Sequence, residues 1–499
     1  TPWLYPLENM VLWGLGMPLG IAAWLGVILV IVQLIRGWLG RASTPADGSL
    51  DRSQESMIAG KWDLILIPLA WVVLTFLWQG MQYVKSIRYF LPIYPYLAMF
   101  GAYLLIAAWD WVKNRRWGAK VAAGALAAIV LVGTLGWAWS FIQIYREPVT
   151  RVQATRWMYD NIESGATLHY RTAVGDTGQL QIPLPSTHIY LEGQGLLTPF
   201  IPPEDLIATS VVMNNLTGLD GPSEGLFRIE IRDSQGSDGA LTQAGVEGMF
   251  GGEGGQRHVL DLPDLPLQAG QGYALQTRLV EGLPLYSQGS AIANEHFDDP
   301  LPFSMDGRIA FGSGPYRGLD LALYNEDTPE KLDEVLDILD EADYISMSSG
   351  RLHTSIPRLP MRYPVTTRYY ELLFAEKLGF EKVAEFHSYP RVFGIEFNDD
   401  RAEEQFTVYD HPKVLIYGKT DDYDRERVRD LLSEGIEWDE IAHWLNPRDV
   451  AEWKRNHEQQ LDLMLTEAQR QVQTQGGTWA SLFDRSSLAN RWPTPVSYT

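Results

Sequence analysis

The sequence predicts a multi-domain membrane protein: four transmembrane α-helices, then an extracytoplasmic α/β domain with an inserted antiparallel β-sandwich. Three observations predict it. Four apolar runs follow one another within the first 145 residues. The charge then changes sign: residues 1–150 carry 11 Lys/Arg against 7 Asp/Glu, and the remainder 29 against 55. Finally, short alternating runs broken by Gly, Pro and Asp interrupt a helix–strand pattern that resumes further on. At 499 residues the chain exceeds one ordinary core. An acidic surface disfavours nucleic acid, which needs Lys/Arg against its phosphates. With no cysteine, disulfides and thiol catalysis are excluded.

The membrane bundle is expected over residues 1–145, with spans at about 11–35, 62–80, 89–109 and 119–144. Each approaches the roughly 20 apolar residues a bilayer requires. Trp and Tyr collect at their ends, among them Trp38, Trp62, Trp78, Tyr83, Trp109, Trp111 and Trp117, as in an interfacial aromatic belt. Arg36, Arg41, Arg52 and Lys61 follow the first span, and Lys113, Arg115, Arg116 and Lys120 follow the third. The positive-inside rule makes those two loops cytoplasmic and sets everything after Tyr145 outside a plasma membrane. The chain starts at Thr1 without the charged and apolar regions of a signal peptide. Both of its ends read as points inside a longer polypeptide.

The loop between the second and third spans then faces outward, yet it carries Lys85 and Arg88. Two readings stand: a phosphate site, with Arg88 as the bidentate ligand and Lys85 as a point charge, or two interfacial anchors that snorkel to membrane headgroups.

Arg88-Tyr89-Phe90-Leu91-Pro92-Ile93-Tyr94-Pro95 resembles the R-Y-x-L-P-x-Y-P segment that closes the membrane domain of GT-C glycosyltransferases, nearest the protein mannosyltransferase-like (family 39) group. Leu7–Gly16, Trp157–Asn161 with Gly165-Ala166-Thr167, and Phe406–Val414 are similar to stretches of large bacterial proteins of that group, some fused to a multi-span YYY-type membrane region. The resemblance implies sugar transfer from a polyprenyl-phosphate donor at the outer membrane face, with Lys85, Arg88 and Tyr89 at the lipid phosphate. It also implies a catalytic carboxylate in an earlier external loop. No aspartate stands in a comparable loop here, and Glu8 is the one acidic residue at the external start. The catalytic residue is therefore unknown, to be supplied by the remainder of a longer chain or by another membrane subunit. The alternative reading is a non-catalytic, membrane-anchored carbohydrate-binding or scaffolding subunit of a cell-envelope complex.

Beyond the bundle, residues 146–183 and 291–420 are expected to form the α/β domain. A helix at Val152–Ile162 and a strand at Thr167–Tyr170 open it. A helix at Glu330–Glu341, with Leu332, Val335, Leu336 and Leu339 on one face, resumes it. Strands are predicted at Asp343–Met347, Lys382–His387, Val392–Phe397 and Val414–Tyr417, and a further helix at Thr366–Leu378. Residues 184–290 form the inserted sandwich, and residues 421–499 a helical C-terminal segment. Gly248–Gly255 lacks the Gly-Lys-Ser/Thr ending of a phosphate loop and reads as a hairpin connection. Tyr190, Phe200, Tyr286 and Phe297 are candidates for stacking on sugar faces, with core packing the ordinary alternative. Asn294, Glu295, Asp298 and Asp299 offer oxygen ligands for a divalent cation, but their spacing matches no defined calcium loop. The histidines show no metal-ligand spacing.

Overall fold

The computed structural model describes residues 3–42, 52–82, 85–234, 239–251 and 256–441. The expectation of a helical segment over 421–499 therefore falls outside the described residues from 442 onward.

The chain opens with α1 (Leu4–Asn9), a π-helical turn (Met10–Gly14) and α2 (Met17–Ala42). It continues with α3 (Arg52–Met81), a 3-10 segment (Ile87–Ile93), α4 (Tyr94–Val112) and α5 (Trp117–Ile142). Among the described residues, three segments are long and apolar enough to cross a membrane: Met17–Arg36, Ile87–Val112 and the run Trp117–Asn161 that begins with α5. Within α3, where the second span is expected, the described apolar stretch is Ile65–Met81. Along α5, Ile129, Leu131, Val132 and Leu135 are exposed, an apolar surface that suits lipid rather than water. Helices α2 and α4 lie close together because Gly26 lacks a side chain: a Cβ there would stand 2.0 Å from the Phe100 carbonyl oxygen. Pro95 opens α4 at a position where its missing N–H costs nothing.

After α6 (Thr150–Asn161) come ten strands: β1 (Ala166–Thr172), β2 (Thr177–Ile182), β3 (Thr187–Tyr190), β4 (Gly195–Phe200) and β5 (Leu206–Gly218), then β6 (Ser223–Asp233), β7 (Thr242–Phe250), β8 (Gln256–Leu267), β9 (Tyr273–Gly282) and β10 (Leu285–Gln288). All pair antiparallel, in two sheets. One has the order β2-β1-β5-β10-β3 with β8 also on β5, and the other β4-β9-β6-β7. Their inner faces share a single core, in which Leu168, Val211 and Leu260 of the first sheet meet Phe227, Ile229 and Leu275 of the second. Strand β6 shows the cause: Ser223, Gly225, Phe227, Ile229 and Ile231 alternate inward. The sandwich begins earlier than residue 184. β1, expected in the α/β layer, pairs with β2 and β5, because both of its long neighbours are sandwich strands. The glycine-rich piece also departs from its hairpin reading. β7 and β8, which flank it, belong to different sheets, so it links the two layers.

The chain then forms β11 (Ala291–Glu295), β12 (Arg317–Leu321), α7 (Pro329–Glu341), β13 (Tyr344–Met347), α8 (Pro364–Phe374) and β14 (Phe380–Phe386). A two-residue hairpin follows, β15 (Arg391–Val392) and β16 (Ile395–Glu396), and it replaces the single strand expected over Val392–Phe397. Phe393 and Gly394 turn there with φ of 49° and 82°. Then come α9 (Glu404–Thr407), β17 (Val414–Lys419), α10 (Arg425–Ser433) and, last among the described residues, a 3-10 turn (Trp438–Glu440). The sheet order is β12-β11-β13-β17-β14, parallel across β12, β11 and β13 and antiparallel beyond. Every residue of β11 is buried, as both-face burial in a parallel sheet requires. Helix α6 covers one face through Ala154 and Met158, and α7, α8 and α10 cover the other. Since α6 precedes the sandwich and β11 follows it, the sandwich sits as an insertion in this α/β layer. Together they form a head on the apolar bundle.

Candidate functional site

The site lies where the head meets the bundle. The π-helical turn ends with Leu15 N–H donating to the Met10 carbonyl, a local widening typical of places where a helix is reshaped for use. That widening leaves the Trp13 carbonyl free to accept from Trp137 Nε1 at 3.2 Å. The Trp13 ring packs 6.0 Å from Trp137 and 5.9 Å from Phe406 of the head. Phe141 meets Phe406 at 5.3 Å and His411 at 5.7 Å, and Phe397 stands edge-on to Trp137. An aromatic contact, three helices deep, thus joins the two parts.

At its centre is Glu403, buried at the start of α9. Its backbone N–H donates to Asn9 Oδ1 at 2.8 Å, and Asn9 in turn donates to the Tyr5 carbonyl. The carboxylate accepts from Ile87 N–H at 3.3 Å and, more weakly, from the Ser86 hydroxyl at 3.4 Å. Glu403 therefore ties the first N–H of the Arg88-bearing segment to the head. Burial pushes its carboxyl up to about 7, against the partial compensation of the Ile87 N–H. Behind it, His411 Nε2 and Asp399 Oδ2 pair at 2.8 Å, both buried, and Thr150 donates to the Pro412 carbonyl.

The two cations predicted to act together are separated by burial. Arg88 is exposed: its Nη2 donates to the Tyr89 hydroxyl at 3.1 Å, and its guanidinium stands 5.0 Å over that ring. Lys85 is 2% exposed, and desolvation pulls its ammonium down to about 8. A headgroup in solvent or bilayer does not reach it, which corrects its reading as an exposed point charge. Glu8 is exposed on α1, one residue before Asn9.

Of the sugar-stacking candidates, Tyr190 and Phe200 lie in the sandwich core. Tyr190 bonds Thr277 at 3.1 Å and packs on Phe227, and Phe200 packs on Tyr273. Inward alternation of β3 and β4 put them there, and no sugar face reaches them. Tyr286 is half-buried on β10, and Phe297 is 55% exposed. The oxygen-rich turn is engaged by groups of the protein itself. Asn294 accepts from Leu301 N–H, while Arg151 takes Asp299 at 3.0 Å and Asp298 at 3.5 Å. Among the described residues no group of three His, Cys, Asp or Glu side chains is placed to hold a metal ion.

No protein-family model and no curated protein matches this chain. The site thus rests on its own geometry. Glu403 and Asn9 escaped the reading of the sequence, although the quoted Phe406–Val414 stretch lies three residues beyond Glu403. Their pairing spans 394 positions, and no local pattern announces it.

A pH dependence follows for the junction. Glu403 in the docked state holds a proton that a free carboxyl releases above about 4.5. Docking is strongest below that value and weakens as pH rises to about 7, by at most about 1.4 kcal/mol per pH unit. Limited proteolysis between Phe397 and His411 should accelerate from pH 5 to pH 7.5 in the wild type. In Glu403→Gln that acceleration should vanish.

Proposed function

We propose that this chain is part of a GT-C-type glycosyltransferase of the plasma membrane, with its acidic head on the outer face. Sugar passes from a polyprenyl-phosphate-linked donor to an acceptor on that side. Arg88 holds the donor phosphate and Tyr89 fixes its guanidinium plane. Lys85, being buried, makes no donor contact.

One observation carries the reading. Arg88 stands exposed at the start of the apolar segment Ile87–Val112, oriented by Tyr89, and among the described residues no carboxylate lies within ion-pair distance of it. A guanidinium has five N–H donors in a planar fork that matches phosphate. The cation asymmetry of the flanking loops supports the outward orientation. The catalytic carboxylate is assigned to another membrane subunit or to the remainder of a longer chain.

The test is transfer of labelled sugar from a synthetic polyprenyl-phosphate donor, in membranes containing the complete gene product. Arg88→Ala at matched expression should lower kcat/KM for the donor by about 10- to 100-fold, the worth of one charge-assisted contact. Arg88→Lys should recover part of the loss. Unchanged transfer in Arg88→Ala makes the residue a membrane anchor. The burial of Glu403, the carboxyl that reaches this turn, favours a second reading: a membrane-anchored carbohydrate-binding or scaffolding subunit without chemistry of its own. That reading predicts no transfer from the wild type either.

A further inference from the structure

The three parallel strands β12, β11 and β13 end on one side of the sheet, and the segments that leave them enclose a cleft of about 340 Å³. Its walls are Phe297 after β11, Tyr324 after β12 and Arg351 after β13, with Arg362 and Tyr363 from the approach to α8 and Ile356 in the apolar floor. Carboxyl ends of parallel strands are where α/β sheets ordinarily bind ligands. The volume is at the small end of the roughly 300–1,000 Å³ of small-molecule sites.

The aromatic rings are arranged rather than merely left over. Phe297 and Tyr324 stand nearly perpendicular, at 81° with centroids 5.5 Å apart, while Tyr324 and Tyr363 stack at 26° and 5.9 Å. Phe297 and Tyr324 are 55% and 46% exposed, so their apolar faces are not consumed by the core. Phe297 is also held at φ 65°, a left-handed conformation that a bulky side chain adopts only when its surroundings impose it. The restraint is visible: Arg351 Nη1 donates to the Phe297 carbonyl at 2.8 Å.

The second feature is charge. Arg362 lies 5.3 Å over the Tyr363 ring, donates through Nη2 to Glu326 at 3.2 Å, and keeps a buried Nε without a partner. Arg351 has Glu404 at 3.8 Å from its Nε. Each fork thus meets one carboxylate and retains N–H donors for a second anion. Two guanidinium groups in a head of strongly negative charge select a small anion, because a polyanion is repelled by the surrounding surface.

We propose that this cleft binds a saccharide bearing a single anionic group, carboxylate or phosphate. The apolar face of the sugar ring stacks on Phe297, the perpendicular Tyr324 walls one edge of the ring, and the anion meets Arg351 and Arg362. The site shares no residue with the turn at Arg88, so it stands whether or not the donor assignment there holds.

The test is ligand-observed NMR on the full chain in nanodiscs, with methyl glucuronide, glucose 6-phosphate and neutral methyl glucoside. At least one anionic ligand should bind with Kd at or below about 1 mM, and the neutral glycoside at least about tenfold more weakly. Preference between the two anions identifies the carboxylate or the phosphate form. Phe297→Asn removes the ring with a residue that tolerates positive φ. It should keep or raise the melting temperature while weakening binding at least about tenfold, the worth of one stacking contact. Arg362→Lys should weaken the anionic ligands and leave the neutral one unchanged. No saturable binding of either anion below about 20 mM overturns the proposal. So does equal affinity for the neutral glycoside, or full affinity in Phe297→Asn.

Discussion

Asp327→Ala is expected to destabilise the head by about 3–5 kcal/mol, enough to unfold it at ordinary temperatures. Asp327 and Lys331 form a buried ion pair at 2.6 Å, with side-chain exposures of 0% and 5%. The carbonyls of Leu323 and Asn325 and the Thr366 hydroxyl also lie within hydrogen-bond distance of the ammonium, so its three N–H groups are shared among four acceptors. Asp327 Oδ2 accepts from the N–H groups of Val365 and Thr366, so the same carboxylate caps the first turn of α8. Burial pulls the Lys331 ammonium down and Asp327 offsets part of that. Removing Asp327 leaves an uncompensated buried cation and two uncapped donors at once. Denaturant unfolding followed by tyrosine fluorescence of the head would measure the loss. Asp327→Asn keeps one acceptor and should cost less. The double variant Asp327→Leu with Lys331→Met should recover stability over either single change, because it removes both desolvated charges together. If Asp327→Ala unfolds like the wild type, the network is an ornament of the fold rather than its clamp.

The second large effect is a dependence on pH that runs opposite to ordinary acid denaturation. Glu295 closes β11 fully buried, and burial, with Asp298 adding repulsion, pushes its carboxyl up to about 8. The hydroxyls of Tyr369 and Tyr370 lie in its field. At ordinary hydrogen-bond geometry neither hydroxyl and neither carboxylate oxygen is paired, although Tyr370 is close enough to hold the shift back. The folded state therefore keeps a proton that the unfolded chain releases above about 4.5. Its contribution is most favourable below that value and is lost progressively as pH rises to about 8. The slope is at most about 1.4 kcal/mol per unit and the whole loss roughly 3–5 kcal/mol. Glu295→Gln carries no such proton. Its stability minus that of the wild type should be near zero at pH 4 and rise to the full amount by pH 8.5. Parallel curves across that range would mean that Glu295 is ionised in the folded protein.

Much of the architecture was legible because it is written in local periodicity. Leu332, Val335, Leu336 and Leu339 face one core at helical spacing, and Thr328 with Pro329 caps their helix. Phe227, Ile229 and Ile231 alternate as an inward face must. What periodicity does not carry is partnership. Nothing local to Ala166–Thr172 distinguishes a strand of the sandwich from one of the α/β layer, since both would bury Ala166 and Leu168.

For the site, the sequence by itself determined that two cations stand between apolar runs, and it offered Phe297 among the stacking candidates. It also settled the charge contrast between bundle and head, which needs only counting. Tertiary structure alone decided which cation is exposed: Arg88 is, and Lys85 is buried, four positions within one turn. It alone brought Asn9 to Glu403, sent Tyr190 inward, and gathered Phe297, Tyr324, Arg351 and Arg362 around one cleft. The reason is physical. Burial and long-range pairing depend on which surfaces meet once the chain closes, and a residue's neighbours along the chain do not encode that meeting.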